Sequence, residues 1–254
     1  MMSLAFIALA AVPVFCGQQA ESASITGTAK TLNCLAAMNE ARTAAGLAEF
    51  KPAAEQGQML PENPAAKSDI QAAELWEEIC QEIAGTDSAR TEAQKLKGTF
   101  MYYRGEDDCT AAVQHWKDGF SLFNNELPPV YKALGSPEVY TDKAVSFVAL
   151  YNPKADPVAS CAFATCTKGD AAALSKSHGG PALRRLSGEK PTTAVICLTN
   201  PAALTADAAP FKEEEWQKIV HAIAGPEAGN GAGRVRPSFA AHALIMLLLG
   251  YRLF

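Results

Sequence analysis

Residues 144–151 (AVSFVALY) and 158–165 (VASCAFAT) are two apolar runs joined by Asn152-Pro153-Lys154-Ala155-Asp156-Pro157. Short runs rich in β-branched and aromatic residues, bounded by turn formers, read as strands, and the brief Pro-containing linker makes them a hairpin. A hairpin implies antiparallel pairing. Two further segments fit the same sheet, 99–103 (TFMYY) and 192–199 (TTAVICLT).

Around these strands the apolar spacing changes to a helical one. Over 25–45, Cys34, Met38, Ala41 and Ala45 fall on one face with Leu35 beside them, Glu40 and Arg42 are free to face water, and Gly46 is placed to end the helix. Residues 51–64 contain Pro52, Gly57, Pro61 and Pro64 and read as an exposed loop. A second helix is predicted over 65–84, with Leu75, Trp76, Ile79, Cys80 and Ile83 inward and Gly85 as its stop. Cys34 and Cys80 thus lie on inward helical stripes, where bridges between layers form. Asp108-Cys109-Thr110 opens a third helix through Val113, Trp116 and Phe120, and 211–224 is a last one using Trp216, Ile219, Val220 and Ile223. Helices before, between and after the strands, without regular alternation, predict an α+β domain whose antiparallel sheet is covered by helices.

Both ends of the 254-residue chain stand apart from this pattern. Residues 1–15 are uncharged and apolar and run into Cys16-Gly17-Gln18-Gln19-Ala20, the layout of a secretory leader without its positive n-region. Residues 239–254 (FAAHALIMLLLGYRLF) are shorter than the ~20 residues of a spanning helix. They follow Gly229-Asn230-Gly231-Ala232-Gly233 and a polar spacer, the order of small residues, spacer and apolar tail that signals replacement of the tail by a glycosylphosphatidylinositol (GPI) lipid. The expected organisation is a leader (1–20), an ectodomain (21–224), an attachment region and spacer (225–238) and a removed tail (239–254). Asn230 is the candidate attachment residue, with Gly229 and Gly231 as neighbours. The partner this implies is the outer membrane leaflet through the lipid, with no transmembrane helix in the mature form.

Processing of this kind sharpens the composition. Loss of Arg234, Arg236 and Arg252 takes the net charge from −5 to −8, because the removed segments carry no acidic residue. An acidic body lacking clustered Lys and Arg excludes nucleic acid as a partner. Arg184-Arg185 with Lys190 is a small basic patch, best read as a solvated loop. Of seven cysteines, loss of Cys16 leaves Cys34, Cys80, Cys109, Cys161, Cys166 and Cys197. An even set in an oxidising compartment predicts three disulfides, with the pairing open among ~15 arrangements. No Cys-x-x-Cys pair and no His at ligand spacing accompanies them, which disfavours zinc.

A search for chemistry returns little. His115 precedes Trp116 inside a helix, His178 sits in Ser177-His178-Gly179-Gly180, and His221 stands on the last helix. No pair of them has the spacing of a metal site, and His178 has no identifiable nucleophile or carboxylate companion, since no Gly-x-Ser-x-Gly elbow occurs. The runs Glu106-Asp107-Asp108 and Glu213-Glu214-Glu215 stand at helix starts, where negative charge opposes the dipole favourably. The glycines of 229–233 lack the strand and helix of a phosphate loop, and no Asn-x-Ser/Thr glycosylation site occurs. No catalytic, metal or cofactor residues are assigned.

Taken together, Leu32-Asn33-Cys34, Met38-Asn39-Glu40-Ala41-Arg42, Ala45-Gly46-Leu47, Trp76, Cys80, Asp108-Cys109, Ala112-Val113 and Trp116-Lys117 resemble the GPI-anchored surface antigens (SAG family) of Eimeria-type coccidian parasites. Phe147-Val148-Ala149-Leu150-Tyr151-Asn152-Pro153, the pair Cys161 and Cys166, Cys197-Leu198-Thr199-Asn200-Pro201, Pro210-Phe211 and Trp216 extend the likeness over the body. The resemblance implies a three-layer αβα sandwich related to the CAP superfamily of cysteine-rich secretory proteins, antigen 5 and pathogenesis-related proteins. It implies a non-enzymatic antigen on the cell surface that contacts host cells or the immune system. Many CAP proteins carry a Gly-His-Tyr-Thr-Gln block, where this chain has Val139-Tyr140-Thr141-Asp142. No catalytic or metal residue is therefore carried over. Some CAP modules bind lipids, so the alternative function is a lipid or small-ligand module, with an apolar groove expected beneath Pro128-Pro129.

Overall fold

The computed structural model describes residues 25–62, 70–86, 90–169 and 190–225. Its sheet is built from β1 (Ile25–Leu32), β2 (Lys51–Pro52), β3 (Thr99–Arg104), β4 (Val158–Lys168) and β5 (Thr192–Asn200). The helices are α1 (Leu35–Ala44), α2 (Ala72–Ile83), α3 (Cys109–Lys117), α4 (Asp142–Leu150) and α5 (Glu213–Ala224). Strands run in the order β1-β4-β5-β3, all antiparallel, while β2 adds a short parallel pairing to the start of β4. The α+β class and the antiparallel sheet expected from the sequence are present.

Alternation along β4 and β5 assigns the two faces. Ala159, Cys161, Val195 and Cys197 belong to a core that contains Met38 of α1, Trp116 of α3, Phe147 of α4 and Trp216 of α5. Ala162, Ala164, Cys166, Ala194, Ile196 and Leu198 belong to a second core, under Leu75, Trp76, Ile79 and Ile83 of α2. With a side-chain period of 2, each strand feeds both cores, and helices cover both faces.

Several elements differ from the sequence expectation. Residues 144–151 are not a strand: 144–150 lie in α4 with Tyr151 as its C-terminal cap, and the 144–165 hairpin does not exist. Thr141 caps α4 by accepting from the Ala144 N–H, and Ala144, Ser146, Phe147, Val148, Ala149 and Leu150 are all buried. A helix buried on nearly every side loses its 3.6-residue period and reads as a strand. β4 instead pairs with β1 and β5, placing Cys161 opposite Cys197.

The helix expected over 25–45 is also two elements. ITGTAKTL buries Ile25, Gly27 and Ala29 and exposes Thr26, Thr28 and Lys30, the period of a half-buried strand, and only from Leu35 does the chain turn helical. Cys34 is accordingly the residue before α1 and not on its stripe. Arg42, expected to face water, is fully buried. Helix α2 starts at Ala72 and not at Ala65, with 63–69 outside the described residues. The expected loop at 51–64 contributes β2 and a buried Leu60, whose N–H donates to Ser160 Oγ at 3.0 Å.

Helix α3 ends at Lys117, so Phe120, read as part of it, lies in the following 3-10 turn Asp118–Phe123, and α5 begins at Glu213 and not at Phe211, while the capping readings hold. Asp108 caps α3 by accepting from Thr110 and Ala111 N–H, and Glu215 in the first turn of α5 accepts from the Lys212 N–H at 2.7 Å. Gly46 and Gly85, just beyond α1 and α2, have φ of +66° and +73°, the left-handed geometry that glycine adopts freely. No helix among the described residues is long and apolar enough to cross a membrane.

Candidate functional site

The six cysteines form three bridges. Cys34–Cys109 ties the start of α1 to the first residue of α3, Cys80–Cys166 ties α2 to β4, and Cys161–Cys197 joins directly opposed residues of β4 and β5. The sequence separations are 75, 86 and 36 residues. Loops of that size correspond to ~4 kcal/mol each in the chain-entropy account. One bridge therefore clamps α2 to its own face of the sheet, and the other two serve the opposite face. There the Sγ atoms of Cys34, Cys161 and Cys197 lie within 4.8 Å of one another, and Met38 Sδ is 3.8 Å from Cys161 Sγ. All three are bridged, and a disulfide sulfur is not the thiolate a metal requires.

A cleft of about 290 Å³ opens at the β3 edge of the sheet, lined by Glu82, Ile83, Tyr102, Arg104, His115, Asp142, Lys143 and Ala194. It forms because α2 reaches this edge from one face, while α3 and the start of α4 reach it from the other. The β3 backbone is already engaged there. The Tyr102 N–H donates to Ser146 Oγ at 3.2 Å, and its carbonyl accepts from Trp116 Nε1 at 2.9 Å. Glu82 accepts from Tyr102 Oη at 3.2 Å and from Arg90 Nη2 at 2.6 Å. Burial raises the Glu82 carboxyl above its ordinary range, with the Arg90 charge opposing. The His115 imidazole is lowered, first by burial and then by Lys143, with the Asp118 charge opposing, which favours its neutral form.

Glu82 gives a signed pH effect. A carboxyl whose folded pKa exceeds its unfolded one binds extra protons in the native state, so its contribution falls as pH rises from about 4.5 to the folded value. Glu82→Gln is expected to flatten that part of the stability profile. Urea midpoints from pH 4 to 7 check this, and an unchanged slope would show that Glu82 is not buried in solution.

A second cleft, about 230 Å³, lies between α1, α3 and α5, its wall mixing small apolar residues such as Ala41 and Val113 with Glu40, Gln114 and Lys117, and with Tyr151 also lining it. Tyr151 is 1% exposed. Nearby in sequence, Arg42 sends Nε to the Ala48 carbonyl (2.6 Å) and Nη1 to the Leu150 carbonyl (2.7 Å), and its guanidinium sits 4.1 Å from the Phe50 ring centroid. Its Nη2 has no hydrogen-bond partner. Burial lowers the Arg42 pKa to about 10, and the Tyr151 phenol is raised by burial.

The other sequence candidates separate from these clefts or fall outside the description. His115 lines the first cleft, while His221 borders an open hollow with Ala44, Ala45, Gly46, Gln217 and Lys218. His178, Arg184, Arg185, Gly229, Asn230 and Gly231 lie outside the described residues. The apolar groove expected beneath Pro128-Pro129 is not among the clefts described above; flanking the pair in sequence, Leu122, Leu127, Val130 and Leu134 are each 38–48% exposed. Sequence reasoning missed Glu82, Tyr102 and Arg42. The signal for Arg42 was its spacing of four from Met38, which puts it on the buried stripe despite its charge.

The description "Sporozoite surface antigen (SAG) protein domain" matches residues 30–236. The chain is 42% identical over 253 residues to the "Sporulated oocyst TA4 antigen" of Eimeria tenella, covering 96% of each chain. No solved structure matches. A match that spans the whole disulfide-bonded body, at this identity and with almost complete mutual coverage, establishes that the chain belongs to the sporozoite surface antigen (SAG) family.

Proposed function

We propose that this protein is a non-enzymatic antigen displayed on the surface of a coccidian parasite, held by a GPI lipid and engaged in contact with host cells or immune molecules. The observation that carries this reading is the near-complete match to a protein named as an oocyst antigen. Two features support it. The apolar ends at 1–20 and 239–254 fit secretory delivery and exchange for a lipid at Asn230, Gly229 or Gly231, so that 21–224 is what the cell presents. The exposed apolar side chains Leu122, Leu127, Val130 and Leu134, all within one stretch of chain, are available to a protein partner. Helices on both faces of an antiparallel sheet are also what a CAP-like sandwich requires.

Phosphatidylinositol-specific phospholipase C applied to intact cells is expected to release the protein into the supernatant. Full retention in the membrane pellet, alongside release of a known GPI-anchored control, would overturn the anchor. A second reading, a small-ligand module, is favoured by the cleft that Tyr151 lines. Native mass spectrometry of the purified body distinguishes it by a co-purified mass.

A further inference from the structure

Two of the three disulfides share one sulfur cluster, and only one of them has an end near solvent. Cys34, Cys161 and Cys197 are 1%, 6% and 0% exposed, whereas Cys109, the first residue of α3, is half-buried. The Sγ of Cys34 lies within 4.8 Å of both sulfurs of the Cys161–Cys197 bridge. Thiol–disulfide exchange needs a thiolate within reach of a disulfide sulfur and access for the first attack. Here the access is at Cys109 and the reach is at Cys34.

We propose that Cys109 is a thiol-reactive site, and that reaction there with an external thiol passes through Cys34 into the Cys161–Cys197 bridge. An external thiolate attacks Cys109 Sγ, forming a mixed disulfide at Cys109 and expelling Cys34 as a thiolate. The Cys34 thiolate attacks Cys161 or Cys197 Sγ, making one new bond and expelling the other sulfur as a thiolate. A second external thiol resolves the mixed disulfide and leaves Cys109 as a thiol. The net change is two external thiols oxidised to one disulfide and one protein bridge reduced, with two protons taken up by the protein. The product keeps the start of α1 tied, now to the sheet, and releases α3 from α1.

Cys80–Cys166 stands outside this exchange. Cys166 belongs to the opposite face of β4, in the core under α2, and the trio of adjacent sulfurs does not include it. The bridge is also buried at both ends, with Cys80 at 0% and Cys166 at 7% exposure.

The test is partial reduction of the folded protein with one equivalent of dithiothreitol, followed by acid quench, alkylation in denaturant and peptide mapping. In singly reduced molecules, one label is expected on Cys109 and the other divided among Cys34, Cys161 and Cys197. Label confined to Cys34 and Cys109, or appearing first on Cys80 and Cys166, overturns the proposal. Cys109→Ser gives a second measurement without added thiol. Its odd thiol is expected to migrate from Cys34 onto Cys161 or Cys197 over hours at pH 8.5, whereas Cys80→Ser is expected to keep its label on Cys166. A label fixed on Cys34 in Cys109→Ser overturns the relay. Where that variant does not fold, partial reduction of the unmodified chain decides alone.

Discussion

Trp216→Ala is expected to destabilise the protein by ~3–5 kcal/mol, the range for removing a buried aromatic ring. Trp216 is 1% exposed, and its ring lies 5.5 Å from Phe120, 5.8 Å from Phe211 and 6.1 Å from both Phe123 and Phe147. These rings come from α5, from α4, and from the segments Asp118–Phe123 and around Phe211, so one side chain joins parts distant in sequence. The mutation also strips the Asn125 carbonyl of its 3.2 Å bond from the indole nitrogen. Chemical denaturation measures the loss. Leu134→Ala, at a residue 48% exposed, is the matched control and is expected to change stability by less than ~0.5 kcal/mol. A loss below ~1 kcal/mol for Trp216→Ala would mean that α5 is not docked on this core.

Gly27→Ala is expected to cost ~2 kcal/mol or more, and its sign discriminates between two folds for the same residues. Gly27 sits in β1 beneath α2, where an added Cβ collides with the Trp76 carbonyl and lies 2.9 Å from Cys80 Sγ. A backbone carbonyl in the middle of a helix cannot turn aside, so the strand and α2 must separate, an overpacking cost of ~1–3 kcal/mol. Cys80 carries the bridge to Cys166, the β4 partner of Gly27 in register, so the same displacement strains the one covalent tie on that face. Were 25–32 helical, alanine would instead stabilise the chain by ~1 kcal/mol. Denaturation midpoints of the variant report the sign, and peptide mapping after oxidative refolding reports the yield of Cys80–Cys166.

These two variants mark where the sequence is informative and where it is not. The α5 reading rests on Trp216, Ile219, Val220 and Ile223 at helical spacing, of which the first three are buried and Ile223 is partly exposed. Asp108 announces α3 by local chemistry alone, because a carboxylate before Cys109-Thr110 meets unpaired N–H groups whatever surrounds the helix. The run at 144–151 carries no such contrast. With α4 enclosed on almost all sides, apolar residues occupy every position of 144–151 except Ser146, and periodicity has little to register. At 25–32 the difficulty is the reverse, since Thr and Lys on the exposed side and Gly27 and Ala29 on the buried side dilute the alternation.

The clefts were hidden for a related reason. Glu82, Tyr102, Arg104, His115 and Lys143 come from four separate elements and share no spacing that a linear reading can recognise. Arg42 was misplaced because its charge outweighed its position. Packing reversed that judgement by giving its guanidinium two backbone carbonyls and the face of Phe50.

By itself the sequence determined the α+β class, the apolar ends, the acidic balance and the set of six cysteines, because composition, capping and helical or alternating periodicity act over a few residues. Only the tertiary structure decided which cysteines pair, that 144–151 is a helix, and that a buried arginine and a sulfur cluster lie under α1. Those outcomes depend on contacts between segments 36–108 residues apart, where layer packing overrides local preference and no short pattern records it.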